Sequence, residues 1–369
     1  MSDVDRGPES EEPAPVAPAP PVPRRRSARP GLADGSPSRP GIRAVRPPAP
    51  EPVTDHAPPE LLTPAPAGAG RARTLPGPRR RVGPWCFVEH LAAEERTDQS
   101  PALDVPVHPH TGLQLVTWIF SGAIEHRTSA APNAVVRAGE LSLLTAGSGA
   151  SHGLAYASGD GSRTPLRAAR LAALLPPGAL DLPASLEHHA DLPTLAEGGV
   201  RLTVAIGTAC GITSPATTHR PLVCAQLELA AGSHIALPVD PTFEHGLLVD
   251  DGPVTVDDAR ATVAELVVLP AGRTYVRLTA GDAPTRLLIL GGPPAVDETV
   301  LWWGLAAPGH EGIATARADW AAQRTRRAHG ADPNARFGRV DDGAAPATAP
   351  ELAGVRLRVP GPRGPRRRD

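Results

Sequence analysis

Short apolar runs separated by turn residues fill the middle of the chain. One series contains LQLVTWIF, AIEHRTS and ELSLLTAGSG, and a second series, beginning near Val200, contains RLTVAIG, LVCAQLELAAG, AELVVLPAG and TRLLILGG. Glycine, proline, asparagine and aspartate interrupt both series at intervals of about ten residues, which is typical of all-β sandwiches and barrels. The pattern therefore predicts two β-modules in tandem.

The two series share a local phrase, and a different periodicity follows them. Each series places a glycine-containing turn between alternating strands, as in VVRAGELSLL and VLPAGRTYVRL, which suggests internal duplication. After Gly309 the segment EGIATARADWAAQRTRRA has helical spacing, with Ile313, Ala316 and Trp320 on one face. We therefore expect an amphipathic C-terminal helix that packs onto the β-modules.

Proline and glycine, 46 and 37 of the 369 residues, concentrate at both ends of the chain. Residues 1–70 are a Pro/Ala/Arg mixture with few aromatic or β-branched side chains to bury, so the composition predicts a disordered tail. Residues 341–369 have the same character. The expected organisation is then a first module over 71–190, a second over 191–305 and the helix over 306–340.

Charge and cysteine content exclude several classes of protein. The formal net charge of -2 gives no field that would attract nucleic acid or an anionic membrane, and no apolar run is long enough to span a bilayer. The basic run at 24–26 is interpreted as part of a solvated tail. The start MSDVDRGPESEEP lacks the features of a signal peptide, and the three scattered cysteines suit a reducing compartment. We expect a cytoplasmic protein without nucleic-acid or membrane partners.

Two histidines stand two residues apart at the start of a predicted strand, in VHPHTGLQLVTW. Because side chains alternate along a strand, His108 and His110 project from the same face, where both imidazoles can approach one ion. Further along the chain a glycine-rich turn, TAGSG, leads to His152, which a neighbouring strand could bring to the same point. The spacing predicts one divalent metal ion held by these three histidines.

These segments resemble the central signature of the pirin family. The resemblance lies in HPHTGLQLVTWIFSGAIEHRTS and RAGELSLLTAGSGASHG, and it extends to GPWCFVEHL before them and to LPVDPTFEHGLLV and LWWGLAAPGHEGI after them. It covers the chain from about Arg73 to Val340. It implies an all-β fold of two tandem cupin barrels, which are jelly-roll-like double-stranded β-helices, with a metal in the N-terminal barrel, none in the C-terminal barrel and a C-terminal helix.

The resemblance also implies an iron site, with Fe(II) preferred, whose ligands are three histidines and a glutamate. By motif position the histidines are His108, His110 and His152. In the family the glutamate follows the third histidine by two residues, and Leu154 occupies that position here. Without this hard oxygen donor we expect lower metal affinity and a looser choice of metal.

Two other residues are candidates for the missing oxygen ligand. Gln114 lies four residues after His110, so strand alternation points it to the same face. A tight turn at the following Ser-Gly pair would place Trp118 opposite Glu125 and turn that carboxylate inward. For Glu125 the favoured alternative is an ion pair with Arg127 at the rim of the barrel.

The remaining histidines fit structural roles better than ligand roles. His126 is expected to face away from Glu125 and to make structural hydrogen bonds. The others lie in connecting segments or lack the His-X-His spacing, and they include His90, His188, His189, His219, His234 and His245. The second module is therefore expected to carry no metal. The adjacent pair Trp302 and Trp303 is interpreted as core or interdomain packing.

For the function, the resemblance implies an oxidoreductase, a mononuclear iron dioxygenase of the quercetin 2,3-dioxygenase type that acts on a small aromatic or flavonol-like substrate. Its base would be the family's glutamate, which this chain lacks. Two alternatives therefore stay open. One is a non-catalytic, metal-binding regulatory protein that contacts protein partners, and the other is a degenerate cupin with weakened metal binding. Fold similarity alone does not choose among them.

Overall fold

Antiparallel strands make up most of the regular structure of the protein. The computed structural model describes residues 57–66, 70–76, 81–92, 105–157, 164–294, 299–327, 335–340, 345–352, 354 and 356–358. The strands in chain order are β1 (Glu60–Leu62), β2 (Ala65–Pro66), β3 (Arg71–Leu75), β4 (Trp85–Ala92), β5 (Val105–His110), β6 (Leu113–Ser121), β7 (Ala123–Thr128), β8 (Ala131–Arg137), β9 (Leu141–Thr145), β10 (Ala150–Tyr156), β11 (Arg167–Leu174), β12 (Ser185–His189), β13 (Thr194–Glu197), β14 (Val200–Ile206), β15 (Thr208–Ala209), β16 (Ile212–Thr213), β17 (Val223–Leu229), β18 (His234–Pro238), β19 (Glu244–Asp251), β20 (Val254–Val256), β21 (Ala259–Ala261), β22 (Leu266–Leu269), β23 (Tyr275–Ala280), β24 (Thr285–Gly292), β25 (Val300–Trp302) and β26 (Leu305–Ala307). In the same described part of the chain, a 3-10 helix spans Pro177–Ala179 and one α-helix, α1, spans His310–Arg327.

The first module is a barrel built from two antiparallel sheets. Its larger sheet has seven strands in the order β12-β9-β6-β11-β4-β3-β2, and its smaller sheet has four in the order β5-β10-β7-β8. The strand β6 is buried at almost every position because both faces of its sheet are covered. The strand β7 alternates buried and part-exposed residues, as expected for a sheet with one face toward solvent.

The second module repeats this arrangement. Its larger sheet has the order β1-β22-β19-β24-β17-β14-β13, and its smaller sheet has the order β18-β23-β20-β21. Aliphatic side chains such as Leu227, Leu247 and Leu278 fill its interior. The strand orders of the two modules match position by position, so the predicted all-β architecture of two jelly-roll-like barrels is confirmed.

The second barrel takes its outermost strand from the start of the described chain. The strand β1 pairs antiparallel with β22, with Glu60 opposite Val268 and Leu62 opposite Leu266. Leu62 is buried in the core, so these residues are part of the fold. The predicted tail over 1–70 was therefore too long, because two leucines between prolines gave no visible strand pattern. Residues 1–56 and 67–69 of that predicted tail lie outside the described residues.

A shared hydrophobic core joins the two larger sheets. Trp85, Trp118 and Phe120 from the first barrel lie in one buried cluster with Ile206 and Leu290 from the second. The indole nitrogen of Trp118 donates to Gln226 Oε1 at 2.8 Å, so even the polar edge of this ring is satisfied across the contact. The barrels therefore pack sheet against sheet, and each barrel keeps its own separate interior.

A buried carboxylate adds a polar link to this contact. Asp250 of β19 is fully buried, and its Oδ1 accepts a hydrogen bond of 2.8 Å from His90 Nε2 on β4. Arg167 of β11 and Arg286 of β24 also donate to Asp250, at 3.1 and 2.5 Å. Burial alone would raise the pKa of Asp250, but these donors outweigh it and lower the pKa below its usual value.

The chain returns to the first barrel after the second is complete. The hairpin of β25 and β26 is bridged to the first barrel between Thr111 and Leu305, and it shares a core with Val107. The residues of β25, assigned to the second module by sequence, therefore pack on the first. The predicted amphipathic helix is confirmed as α1, with Ile313 and Trp320 buried in the same core.

Part of the predicted C-terminal tail also belongs to the fold. In the segment 345–352, the amide of Ala347 donates to the carbonyl of Val107, and the carbonyl of Ala347 accepts from Trp320 Nε1. Its composition is that of a tail, and it is held by these backbone hydrogen bonds together with the burial of the small side chain of Ala349. Over the part of the chain that the structure describes, no helix has the length and apolar character needed to cross a bilayer.

Candidate metal centre

The strand pairing brings the three predicted ligands together. His108 and His110 lie on β5, and the antiparallel partner β10 places His152 directly opposite His108. The three imidazole rings are 4.7 to 4.8 Å apart between centroids, and their candidate ligand atoms all lie within 4.8 Å of one another. Two positions on one strand and one on its neighbour are therefore enough to form a three-histidine cluster.

Backbone carbonyls orient two of the imidazoles. His108 Nδ1 donates to the carbonyl of Pro106 at 2.8 Å, and His110 Nδ1 donates to the carbonyl of Gly304 at 2.9 Å. These bonds fix the protons on Nδ1 and leave each Nε2 lone pair for a metal. Gly304 has a φ of +82°, and a Cβ there would lie 2.9 Å from His110 Nδ1, so this contact requires glycine.

The third imidazole is held by a chain of side chains. His152 Nδ1 lies 2.8 Å from His126 Nε2, and His126 Nδ1 lies 2.7 Å from Ser142 Oγ. With Nε2 of His152 as the ligand atom, its Nδ1 donates to His126, which in turn donates to Ser142. The hydrogen-bonded role predicted for His126 is therefore confirmed, and it serves a residue of the cluster itself.

The donor set fits a divalent transition metal. The Nε2 atoms of His110 and His152 are buried and have no hydrogen-bond partner, an arrangement that a metal ion would satisfy. Burial, with a contribution from the charge of Arg170, lowers the pKa of His108 to about 4, and burial holds those of His110 and His152 well below the usual range. All three are therefore neutral near pH 7, the form that binds metal.

Known protein families match the chain where the two barrels lie. Residues 69–164 match the pirin family, and residues 224–326 match the pirin C-terminal cupin domain. A Pseudomonas aeruginosa protein named "Putative quercetin 2,3-dioxygenase" is 34% identical over 291 residues, covering 78% of this chain and 84% of that protein. The chain belongs to the pirin family.

A second pirin-like sequence and a crystal structure support the same assignment. The "Pirin-like protein" of Caulobacter vibrioides is 32% identical over 253 residues, covering 67% of this chain and 86% of that protein. A crystal structure of quercetin 2,3-dioxygenase from Acinetobacter baumannii is 30% identical with a TM-score of 0.73, and it covers 81% of this chain and 97% of that chain. The pirin resemblance therefore extends over both barrels.

Leu154, at the position where the pirin resemblance implies a glutamate, lies in the hydrophobic interior. Leu154 is almost fully buried and packs with Leu91, Val105, Ile119 and Ile124. The pairing of β10 with β5 shifts register between His152 and Leu154, so strand alternation does not simply repeat at this point. An aliphatic environment would penalise a charged carboxylate, which accounts for leucine being stable here.

Neither candidate substitute supplies an oxygen to the cluster. Glu125 forms an ion pair of 2.8 Å with Arg127, so the favoured rim interpretation is confirmed. The predicted pairing of Trp118 with Glu125 is wrong, because β6 and β7 enter different sheets and Glu125 lies opposite Ala155 and Val135. The turn between them therefore crosses from one sheet to the other.

Gln114 is used to link the two halves of the chain. Its amide nitrogen donates to Thr145 Oγ1 at 3.0 Å and to the carbonyl of Thr217 at 2.9 Å. The prediction that Gln114 points to the face of the histidines is wrong, because Leu113 and Leu115 of β6 line the cavity beside the cluster whereas Gln114, between them, contacts a loop of the second half. A role as an oxygen ligand has no support from these contacts.

A cavity of about 810 Å³ opens beside the cluster, and His108 and His110 line it. Phe87, Leu113 and Trp303 form part of its apolar wall. From the sequence, Trp303 was expected to serve packing only, but in the structure its side chain also lines the cavity. Sequence reasoning missed Phe87 as well, because a single aromatic residue in a strand is far more often part of the core.

Arginines are the second feature of this cavity that the sequence did not reveal. Arg71 and Arg73, spaced two apart on β3, both line it, as does Arg170 of β11. From the sequence, none of these arginines was assigned a role. The alternation of Arg71 and Arg73 in RARTL was the one available signal, since it places both guanidinium groups on one face of a strand.

Proposed function

We propose that this pirin-family protein is a metal-dependent dioxygenase of the quercetin 2,3-dioxygenase type. In this proposal Fe(II) is the metal, and a flavonol-like or other small aromatic molecule is the substrate. The observation that carries it is the convergence of three neutral imidazoles beside a cavity with an apolar wall. The relatives from Pseudomonas and Acinetobacter supply the reaction type by similarity.

The residues of the chain divide the work between holding the metal and shaping the cavity. His108, His110 and His152 would hold the ion, which when bound would polarise a substrate oxygen and bring it close to O2. The carbonyl of Gly304 keeps His110 oriented for this role. Phe87 and Trp303 give the cavity aromatic surface that suits an aromatic substrate, since both side chains line it.

The site has no acidic side chain for proton transfer. The described residues that line the cavity include no aspartate or glutamate, and Leu154 stands where pirins have their glutamate. A flavonol hydroxyl that must lose its proton would therefore receive no help from a carboxylate. The proposal accordingly expects slow turnover of a neutral substrate and faster turnover of a substrate that is already ionised at neutral pH.

A second candidate function follows from the lack of an acidic side chain among the described residues that line the cavity. A pirin that keeps the histidine cluster but lacks a base would bind metal without turnover and act through contacts with protein partners. The buried, apolar surroundings of Leu154 favour this candidate, because they show a position adapted to leucine. A degenerate cupin with only weak metal binding is the limiting case of the same idea.

A cytoplasmic location is part of the proposal. Cys86, Cys210 and Cys224 are all free, and burial raises the pKa of Cys86 to about 12. Three free thiols, of which Cys86 and Cys224 are buried, are compatible with a reducing compartment. Such a compartment would also keep iron in the ferrous state.

Metal content and oxygen-dependent turnover test the proposal together. Protein purified without added metal should contain close to one iron per chain by elemental analysis, and quercetin absorbance should fall in air but not under nitrogen. Metal without turnover would favour the regulatory candidate. Metal-free protein that cannot be reloaded with Fe(II) would contradict both and leave the degenerate cupin.

The substitution Leu154→Glu tests the departure from the pirin pattern directly. If the missing carboxylate limits the site, L154E should raise Fe(II) affinity about tenfold or more, measured by chelator competition. L154Q is the matched control, since it adds a polar side chain of the same size without the charge. Equal effects of both variants would show that position 154 does not face the metal.

A further inference from the structure

Six arginines surround the cavity beside the histidine cluster. They come from the first barrel and from the segment after α1, and they are Arg71, Arg73, Arg81, Arg170, Arg356 and Arg358. Among the described residues that line the cavity, none is acidic. A concave surface with one sign of charge and apolar walls concentrates ligands of the opposite sign.

One buried carboxylate behind the wall balances only part of this charge. Glu89 is fully buried and accepts from Arg170 Nη1 at 2.9 Å and from Arg73 Nη2 at 3.4 Å. One negative charge thus faces two guanidinium groups. Arg73 Nε is buried without a partner, and Arg71 has no ion-pair partner among the described residues. Donors therefore remain for a ligand.

The positive charge extends to the metal-binding cluster. Arg71 and Arg170 line the same cavity as His108 and His110, so both guanidinium groups lie on the wall beside the cluster. With a divalent ion and no protein carboxylate, the centre would carry an uncompensated positive charge. An anionic oxygen from a ligand would neutralise it and add the hard donor that Leu154 cannot provide.

The arginine wall, formed by Arg71, Arg73 and Arg170, lies next to aromatic side chains that a planar ligand can contact. The guanidinium groups of Arg73 and Arg170 lie 5.1 and 5.8 Å from the ring centroid of Phe87, on the cavity wall. Trp303 adds a second aromatic surface. An aromatic ring can pack against these side chains while its charged substituent reaches arginine.

We propose that the preferred ligand of this site is an aromatic carboxylate, whose anionic oxygen takes the place of the missing glutamate at the metal and whose charge is held by the arginine wall. The inference rests on the proposed function for the identity of the site. It goes further by naming the charge and class of the ligand. A neutral flavonol is then a poorer ligand than an aromatic acid.

Three probes separate charge from aromaticity. The metal-free and Fe(II)-loaded protein would be titrated anaerobically by calorimetry with 2-hydroxybenzoate, with its neutral amide, and with acetate. We expect 2-hydroxybenzoate to bind at least about tenfold more tightly than either other probe, because charge-assisted hydrogen bonds and ring packing both contribute. Its affinity should fall with added salt, whereas that of the amide should not.

A matched pair of arginine variants locates the effect. R71Q removes an unpaired guanidinium from the wall, and R260Q removes the same charge from an exposed position on β21, far from the residues that line the cavity. R71Q should weaken binding of 2-hydroxybenzoate about fivefold to tenfold and leave the amide unchanged. R260Q should change the affinity for neither 2-hydroxybenzoate nor its amide.

The outcomes also separate this inference from the proposed function. Preference for the carboxylate in metal-free protein, lost in R71Q, supports the arginine wall even if no turnover of quercetin is found. Tighter binding on Fe(II) loading, reduced in L154E but not in L154Q, supports the anionic oxygen at the metal. Equal binding of acid and amide, or equal effects of R71Q and R260Q, overturns the inference while leaving a metal-dependent dioxygenase intact.

Discussion

The two barrels have the same strand order and very different inner surfaces. In the first, β5 pairs with β10 and sets His108 opposite His152. The topologically equivalent pair in the second is β18 with β23, which sets Leu237 opposite Val276. Both of these aliphatic residues are buried in the barrel core. The same backbone pairing thus carries a three-histidine cluster in one barrel and aliphatic core residues in the other, and the side chains alone decide which.

The second barrel also contains a buried histidine, but this one has no converging histidines beside it among the described residues. His245 on β19 is buried, and its Nδ1 has no hydrogen-bond partner. It lines a separate cavity of about 450 Å³ together with Asp240 and Phe243. No metal-binding group of three residues was found there among the described residues. What distinguishes the first barrel is therefore convergence of imidazoles, not burial alone.

The largest expected effect is on metal binding by the two barrels. H110A and H152A should each lower Fe(II) affinity by more than about 100-fold, because each removes one of three protein ligands. H245A, the control in the second barrel, should retain the metal content of the unmodified protein. Elemental analysis after dialysis measures the iron content of each variant. Iron retained in H152A but lost in H245A would reverse the assignment of the barrels.

The next effect concerns whether the barrels are independent. D250N should destabilise the whole fold by about 3 kcal/mol, because Arg167 and Arg286 lose the buried charge that they share across the contact. Urea unfolding followed by tryptophan fluorescence and by circular dichroism should show one shifted transition. D258N, at an exposed position of the second barrel, is the control. Two separate transitions would show that the barrels unfold independently.

The pH dependence of this contact has a definite sign. The pKa of Asp250 is lower in the folded protein than its usual value, so the native state favours the ionised form. Its contribution to stability is complete above the usual pKa and is lost as pH falls through the lowered pKa. D250N should therefore remove part of the acid sensitivity, while D258N should keep it.

Much of this difference between the barrels was visible in the sequence. The His-X-His spacing at His108 and His110 predicted two ligands on one strand face, and the glycine-rich turn before His152 predicted a neighbouring strand. The absence of such spacing around His219, His234 and His245 predicted the contrast. Local patterns were sufficient because the cluster is formed by adjacent strands.

The features that the sequence did not reveal depend on distant pairings. The edge strand β1 pairs with β22 of the second barrel although all residues of the first barrel lie between them in the sequence. Gly304, at the end of the second series, accepts a hydrogen bond from His110 of the first barrel. The arginine wall is assembled from β3, β11 and the segment after α1. No periodicity in one segment can encode such contacts, because they depend on how complete barrels pack.

A smaller effect tests the support of the metal centre. H126Q should lower Fe(II) affinity about tenfold, since the hydrogen bond that orients His152 is weakened while all three ligands remain. Chelator competition at constant pH measures the change. H188Q is the control, because His188 bonds to Glu140 near the surface. Equal affinities of H126Q and H188Q would show that His126 has no part in positioning the ligand.

The smallest effect isolates the lone buried histidine of the second barrel. Burial lowers the pKa of His245 to about 4, although the charge of Asp240 opposes this shift. Below pH 6.5 the histidine is therefore protonated in the unfolded chain but still neutral in the native state. The free energy of unfolding falls as the pH decreases from 6.5 toward 4. Between pH 7 and 5.5 the loss in the free energy of unfolding amounts to about 1 kcal/mol.

Urea unfolding at several pH values measures this dependence. H245Q should lose this part of the dependence of the unfolding free energy on pH, whereas H234Q, at an exposed position on β18, should keep it. Identical slopes for all three proteins would mean that His245 has the same pKa in the folded and unfolded states, and the contrast between a buried solitary histidine and a converging cluster would then rest on geometry alone.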